Sequence, residues 1–267
     1  MIKTLTRSDL IYPEWSYSII GAAMAVHNGL GPGWDEWDYH LAMIDALEAK
    51  GHRVVSHERM SLIHRESVVD HFEMDLLVDD SIVLELKHIK TDFHPQHFTQ
   101  TINYLKRWEK RLGILINFGM ERLAYTRVPY DPVAGNLDFT GKWEVLVEEL
   151  PSESERVAGA VKGILETHGY GYGVSVFQMI LLSELCFLGS VAEQPIVIPS
   201  YGKRTFDSRA IDCISVDSKV LVSVTATGRN ASSTDLAYLK SYMNQTNICH
   251  GIVIDIGNPD IQLKGVL

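Results

Sequence analysis

Apolar positions along this chain follow two periods, and the whole pattern runs twice. Tyr17 to Asn28 reads as a helix that Gly31-Pro32-Gly33 breaks. Asp35 to Lys50 predicts a second helix, with Leu41, Ile44, Ala46 and Leu47 at helical spacing and Gly51 as its stop. Three strands follow, over about Arg53–Ile63, Val68–Val78 and Ser81–His88, and Asp79-Asp80 joins the last two as a hairpin turn. His94 to Lys110 reads as a helix. Leu112 to Phe118 reads as a buried strand, and Leu123 to Val128 as an edge strand. The predicted order is α-α-β-β-β-α-β-β, a mixed sheet flanked by helices.

A shift of 138 residues lays the second half on the first. Gly21-Ala22 falls on Gly159-Ala160, Gly31-Pro-Gly33 on Gly169-Tyr-Gly171, and Leu47 and Gly51 on Leu185 and Gly189. Tyr104 falls on Tyr242, and Gly113-Ile-Leu-Ile-Asn-Phe-Gly119 on Gly251-Ile-Val-Ile-Asp-Ile-Gly257. One register held from Gly21 through Gly119 points to duplication rather than to glycines shared by chance. The polar, proline-led stretch 151–155 reads as a linker, which predicts domains at 1–150 and 151–267.

Composition narrows the class. The 267 residues are 46% hydrophobic and 22% charged, enough to bury a core. Cys186, Cys213 and Cys249 are widely spaced and form no CxxC pair, which argues against a disulfide framework or a zinc ribbon and for a reduced, cytoplasmic setting. The most apolar stretch, Val176 to Ala192, is interrupted by Gln178 and Glu184 and is too short to span a bilayer. Asp9 and Glu14 interrupt what a secretory peptide would need as an apolar core. The net charge of −10 opposes broad attraction to nucleic acid, although a local basic patch can suffice. Residues 1–150 hold 15 Lys and Arg against 23 Asp and Glu, leaving 9 against 11 for the remainder, so the acid excess lies in the first half.

Candidate chemistry gathers there. On the strand Ser81–His88, Leu84 and Leu86 point to one face while Glu85 and Lys87 share the other. Asp75 lies on the neighbouring strand. Two carboxylates side by side repel unless a cation lies between them, and a hard divalent ion such as Mg2+ or Mn2+ suits oxygen ligands. Lys87 beside them can hold a water or stabilise charge on a phosphate. Glu36 and Tyr39 share one helix face, as do Gln100 and Tyr104 on a later helix. Core packing suits Tyr39. Gln100, one helix after the Glu85 strand, is a candidate site residue.

The spacing Asp75-x(9)-Glu85-x-Lys87 is the core of the PD-(D/E)xK nuclease pattern, and residues from about Ile19 to Val128 resemble the GxxExxY family of that superfamily. The matching segments are Gly31-Pro-Gly-Trp-Asp-Glu36-Trp-Asp-Tyr39, Asp75-Leu-Leu-Val-Asp-Asp80, Ile82-Val-Leu-Glu85-Leu-Lys87, Gln100-Thr-Ile-Asn-Tyr104-Leu-Lys and Leu112-Gly-Ile-Leu-Ile-Asn117-Phe-Gly119. The Gln-x-x-x-Tyr element is similar to that of RecB-type exonucleases. The resemblance implies an α/β fold of two tandem restriction-endonuclease-like domains. It implies Glu36, Asp75 and Glu85 as metal ligands, Lys87 as catalytic lysine and Gln100 as a positioner of phosphate or water. It further implies a Mg-dependent nuclease whose substrate is nucleic acid, DNA by analogy. The family often carries a basic residue two positions before the motif Asp, where Glu73 stands here.

Under the 138-residue shift Glu36 falls on Val174, Tyr39 on Phe177, Glu85 on Ser223, Lys87 on Thr225 and Gln100 on Tyr238, while Asp75 matches Asp212 after a one-residue slip. The second copy is therefore expected to keep the fold and lack catalysis, offering a dimer-like surface within one chain. Lys87, Lys90, Lys106, Arg107, Lys110 and Arg111 flank the site and form its candidate phosphate-facing cluster. Lys203, Arg204 and Arg209 read as solubilising charge, and Trp108 as core. The competing reading is a non-catalytic nucleic-acid-binding or regulatory module on the same scaffold, to which the acidic charge and Glu73 lend weight. A homodimer or a protein partner is compatible with either.

Overall fold

Two parallel-paired strands, each too apolar to face water on either side, organise each half of the chain. The computed structural model describes residues 10–228 and 231–267; Asp9 lies outside them. By contacts the chain divides into residues 1–62 with 71–131, and 63–70 with 132–267.

The first unit contains α1 (Pro13–Leu30), α2 (Glu36–Glu48), β1 (Val54–Ser56), β2 (Arg59–His64), β3 (Ser67–Glu73), β4 (Leu76–Val78), β5 (Ile82–Lys87), α3 (Pro95–Arg107), β6 (Leu112–Asn117) and β7 (Ala124–Pro129). Its sheet runs β1-β4-β5-β6-β7. Only the central pair is parallel, with Ile82 opposite Leu112 and Lys87 opposite Asn117. Ile82, Leu84 and Leu86 of β5 join Ile114, Ile116 and Phe118 under Ile19, Val26, Tyr39, Met43 and Leu47 of α1 and α2. Helix α3 packs on the other face, against β5 and β6. Every residue of β5 but Lys87 is buried, as expected of a parallel strand covered on both sides.

The long strands expected over 53–63 and 68–78 are each broken in two. His57 sits at φ 50°, a left-handed conformation that ends β1, and Met74 and Asp75 separate β3 from β4. The pieces β2 and β3 pair only with each other, and their tip, residues 63–70, groups with the second unit. Arg65 and Glu66, both left-handed, make its turn. Asp79 and Asp80 likewise stand at φ 50° and 51°, as a hairpin turn between β4 and β5 requires.

The second unit adds β8 (Leu137–Gly141), α4 (Trp143–Glu149), α5 (Pro151–His168), α6 (Val174–Phe187), β9 (Ala192–Glu193), β10 (Ile196–Val197), β11 (Ser200–Tyr201), β12 (Arg204–Thr205), β13 (Arg209–Ala210), β14 (Ile214–Val216), β15 (Val220–Thr225), α7 (Ser233–Thr246), β16 (His250–Asp255) and β17 (Ile261–Val266). Its main sheet runs β8-β17-β16-β15-β14-β9, and β15 and β16 are parallel, with Val220 opposite His250. Strands β14, β15 and β16 begin 138 residues after β4, β5 and β6, and α5 begins 138 after α1. The turn pair Asp217-Ser218 repeats the left-handed Asp79-Asp80.

The stretch 151–155 is not a linker. Pro151 occupies the first turn of α5, where a proline has no amide hydrogen to lose, and the Ser154 hydroxyl donates to the Leu150 carbonyl at 2.7 Å. The contact boundary therefore falls earlier, at 131/132, and β8 and α4 join the second sheet. Glu184, which interrupts the apolar stretch of α6, is buried and takes two hydrogen bonds from Arg65, at 2.7 and 2.8 Å, while His64 stands 2.7 Å away. Among the described residues no helix is long and apolar enough to cross a membrane, and the three cysteines are free.

Gly113 and Gly251 hold equivalent places on β6 and β16, where a helix lies hard against the sheet. A Cβ at Gly113 would sit 2.3 Å from Thr101 Cγ2, a branched side chain on buried α3. At Gly251 it would meet Leu239 and Met243 at 2.9 Å. Gly113→Ala is expected to destabilise by about 1–3 kcal/mol and Gly251→Ala by less, because Met243 can turn aside. Urea unfolding midpoints of the two variants check this order.

Candidate active site

The side chain that defines the site is Glu85, fully buried in the middle of β5. Its Oε1 is ion-paired to Lys87 Nζ, two residues along the same face of the strand. Its Oε2 is buried and has no hydrogen-bond partner. Burial, and then the negative charge of Asp75, push the Glu85 carboxyl up to about 8, against the pull of Lys87. Asp75 lies just before β4, opposite the end of β5, and its Oδ2 accepts the Leu86 N–H at 2.6 Å. Burial raises Asp75 as well, opposed by that hydrogen bond and by Lys87. For Lys87, burial works against the ammonium, but Glu85, Asp75 and Glu36 together raise its pKa.

Glu36 opens α2 after the Asp35 cap, exposed, with Oε2 accepting the His88 N–H at 3.1 Å. That bond ties the helix end to the residue following Lys87. Gln100 and Tyr104 share a face of α3, and Gln100 Nε2 donates to the Tyr104 hydroxyl at 2.7 Å. The Tyr104 phenol is raised by burial and next by Glu85, so this pair lies beside the acids. Tyr39 is core, as its spacing suggests: its hydroxyl donates to the Gly31 carbonyl at 2.7 Å and accepts the Trp34 N–H at 3.3 Å.

Three carboxylates meeting around one spot is more than the structure assembles. Asp75, Glu85 and Lys87 come together, and Glu36 acts on Glu85 only as its weakest electrostatic neighbour. Among the described residues no group of three or more His, Cys, Asp or Glu side chains is arranged to hold a metal ion. The reason is visible in the partners: Lys87 supplies the positive charge that Glu85 needs, and Glu36 is engaged by a backbone amide. The residues nevertheless suit a divalent cation. The donors are all hard oxygens, and one of them is a buried carboxylate oxygen left without any partner.

Two further expectations change. Glu73 is paired, with Arg59 Nε at 2.7 Å and His57 at 2.9 Å, and the Arg59 bond holds its carboxyl below the usual range, yet its charge still helps to raise Asp75. The expected basic cluster is dispersed: Lys110 and Arg111 stand at the opposite end of the β5–β6 pair from Lys87, where Ile82 faces Leu112, and Lys90 is exposed. Lys87 serves Glu85, Lys110 pairs with Asp80 at 2.8 Å, Arg111 with Asp131 at 2.7 Å, and Arg107 donates to the Ser61 carbonyl at 2.8 Å. Burial pushes Lys106 down to about 7. Trp108 is buried, as expected of a helix tryptophan in the core.

Sequence reasoning assigned no role to Asn117, although the residue lies in a repeated motif. It is fully buried, its Oδ1 accepts the N–H groups of Ile89 and Gly119 at 3.0 Å, and its Nδ2 donates to the Ile89 and Thr91 carbonyls. Asn117 thus pins the segment that follows Lys87.

In the second unit the strand register is 138 throughout, so Cys213, not Asp212, stands where Asp75 stands. Cys213 is buried, pushed up to about 12 by that burial, and hydrogen-bonded to Ser223, the counterpart of Glu85. Asp212 is exposed and accepts from Gln178 at 2.9 Å.

Residues 13–128 match the family model of the PD-(D/E)XK nuclease superfamily. Two solved structures are similar in part. That of SSO0001 is 18% identical with a TM-score of 0.31, over 45% of this chain and 61% of that one, so this chain spans less than two thirds of it. That of an alkaline exonuclease (LHK-Exo) from Laribacter hongkongensis is 15% identical with a TM-score of 0.29, over 66% of this chain and 95% of that one. No curated protein is significantly similar.

The raised Glu85 carboxyl has a thermodynamic signature. The folded chain keeps a proton on Glu85 to about 8, whereas the ordinary value is 4.5. Its contribution to stability is then fully present below the lower value and lost as pH rises through the upper one. In EDTA the urea midpoint of the wild type is expected to fall across that window. Glu85→Gln, which cannot ionise, is expected to lose most of the slope.

Proposed function

We propose that the first unit is a metal-dependent nuclease that hydrolyses phosphodiester bonds, of DNA by analogy with the superfamily whose model its residues match. The observation that carries the reading is the unpartnered, fully buried Glu85 oxygen beside Asp75 and Lys87. A buried carboxylate with one oxygen left without a donor is costly, and a divalent cation bound by Asp75 and Glu85, with Glu36 as a third ligand, would relieve it. Such an ion, Mg2+ or Mn2+, supplies Lewis acidity toward the phosphate oxygen and toward an attacking water.

The chain's own groups have separate tasks. Lys87, with Glu85 neutralised by another cation, is free to donate to the water or to a phosphate oxygen. Gln100, held by the Tyr104 hydroxyl, offers amide groups from α3 to orient the same phosphate. Glu36, which accepts the His88 N–H, would be the third oxygen ligand of such an ion. Asn117 fixes the turn after Lys87 and so the direction of its strand.

The second unit, in this reading, is a degenerate copy of the same fold. Cys213, Ser223 and Thr225 cannot hold a hard cation, so it would serve as partner surface within the chain. A non-catalytic binding module is the alternative, favoured by the closed Glu85–Lys87 pair.

Incubation of the purified chain with single- and double-stranded DNA and RNA in Mg2+ or Mn2+ separates these readings. Cleavage is expected, falling roughly 100-fold or more in Glu85→Gln and Lys87→Ala and unchanged in Ser223→Ala. No cleavage, with no heat of Mn2+ binding by calorimetry, leaves the module.

A further inference from the structure

Trp34 and Trp37 are the two most exposed of the chain's five tryptophans, at 52% and 54%, and they flank Glu36. Their settings differ. Trp34 Nε1 donates to the Leu30 carbonyl at 2.9 Å, which lays it along the end of α1. Trp37 is built into a stack of rings: its indole lies 4.9 Å from His40 at 13° between planes, and 5.3 Å from His57 at 30°. The two imidazoles stack on each other at 4.4 Å.

The stack is anchored at its far side. His40 Nε2 lies 2.7 Å from the Ser56 hydroxyl, and His57 Nδ1 2.9 Å from Glu73. The His57 N–H donates to the Asp75 carbonyl at 3.1 Å. Trp37 therefore follows Glu36 in sequence and reaches, through His57, the backbone of Asp75. An aromatic ring held in a fixed orientation, more than half in water and next to Glu36 in sequence, offers a π face that packing does not use.

Positive charge beyond Lys87 and the proposed ion is scarce for holding a polyanion. The residues of the first half carry 15 basic against 23 acidic side chains, and Lys110 and Arg111 lie at the far end of the β5–β6 pair. A source of affinity that does not need positive charge would add to theirs. Stacking of a nucleobase on an aromatic face is such a source, and it requires a base free of its duplex partner.

We propose that Trp37 is a stacking platform for an unpaired base of the substrate, so that the site takes single strands and strand ends with unpaired bases in preference to blunt duplex. The inference deepens the nuclease reading and rests on it for the identity of the ligand. The backing histidines keep the indole from collapsing onto the protein when no base is present.

The test is equilibrium binding, measured in EDTA by anisotropy with a fluorescein-labelled oligothymidylate, a duplex with a single-stranded overhang and a blunt duplex. Trp37→Leu keeps apolar bulk without a π face, and Trp37→Phe keeps a smaller face. Wild type is expected to bind the first two ligands more tightly than the third. Trp37→Leu should lose roughly fivefold to a hundredfold on the unpaired ligands alone, with Trp37→Phe in between. Thermal melts of both variants establish that each is folded. Equal affinity of all three proteins, an equal loss on blunt duplex, or no binding of any oligonucleotide overturns the proposal; the last would assign the exposed indoles to a protein partner. Cleavage is scored separately in Mn2+. Trp37-dependent binding without cleavage keeps the platform and removes the hydrolase. Cleavage that ignores Trp37 does the reverse.

Discussion

A carboxylate in the middle of a sheet that is covered on both faces sets the terms for the first unit. Glu85 cannot reach water, so its charge must be answered from within. Lys87, on the same face of the strand, answers half of it, and the second oxygen has no donor. Asp75 makes the position worse, because like charges at short range favour the protonated form. Much of the surrounding structure maintains this imbalance. The Leu86 N–H holds Asp75 in place, the Asp79-Asp80 turn fixes the register of β4 on β5, and Asn117 pins the chain beyond Lys87.

The electrostatic economy extends outward from that point. A chain with an acid excess in its first half answers its basic groups locally: Lys110 with Asp80, Arg111 with Asp131, Arg59 with Glu73. Trp34 and Trp37, on either side of Glu36 in sequence, stay exposed. Coulombic attraction acts at a distance and on any phosphate, whereas stacking acts at contact and only on an exposed base. A site that relies on the second gains selectivity for the state of the strand rather than for its charge.

Period and punctuation made much of the fold legible. The helices, the parallel β5–β6 pair and the Asp79-Asp80 turn follow from spacing and turn chemistry, because those depend on residues near one another in sequence. The closeness of Asp75, Glu85 and Lys87 was legible for the same reason, as alternate positions on one strand and its neighbour, whereas Glu36 comes from a helix. Failures came where distant residues decide. Nothing near His57 announces its left-handed conformation, so one strand was expected where β1 and β2 belong to different sheets. Pro151 was taken as a break although proline suits the first turn of a helix equally well. The basic cluster was misjudged because the parallel register places Lys110 and Arg111 at the far end of β5 from Lys87, and the one-residue slip at Asp212 vanished once strand ends fixed the register. The ring stack under Trp37 joins α2 to the end of β1, which no local spacing reveals.

The second unit serves as an internal control on what the fold itself demands. At the counterpart of Asn117, Asp255 is also buried, but it collects the N–H groups of Gly228 and Gly257 at 3.2 and 2.9 Å, that of Thr227 at 3.1 Å, and the Thr227 hydroxyl. A buried carboxylate is tolerable there because donors converge on it. Glu85 has no such donors, and its counterpart is Ser223, bonded to Cys213 where Asp75 would be. Strand lengths, register and the hairpin turn survive that replacement, so the sheet does not require the charges. A costly feature that the equivalent strands of the second unit do without is not one that this sheet needs in order to fold.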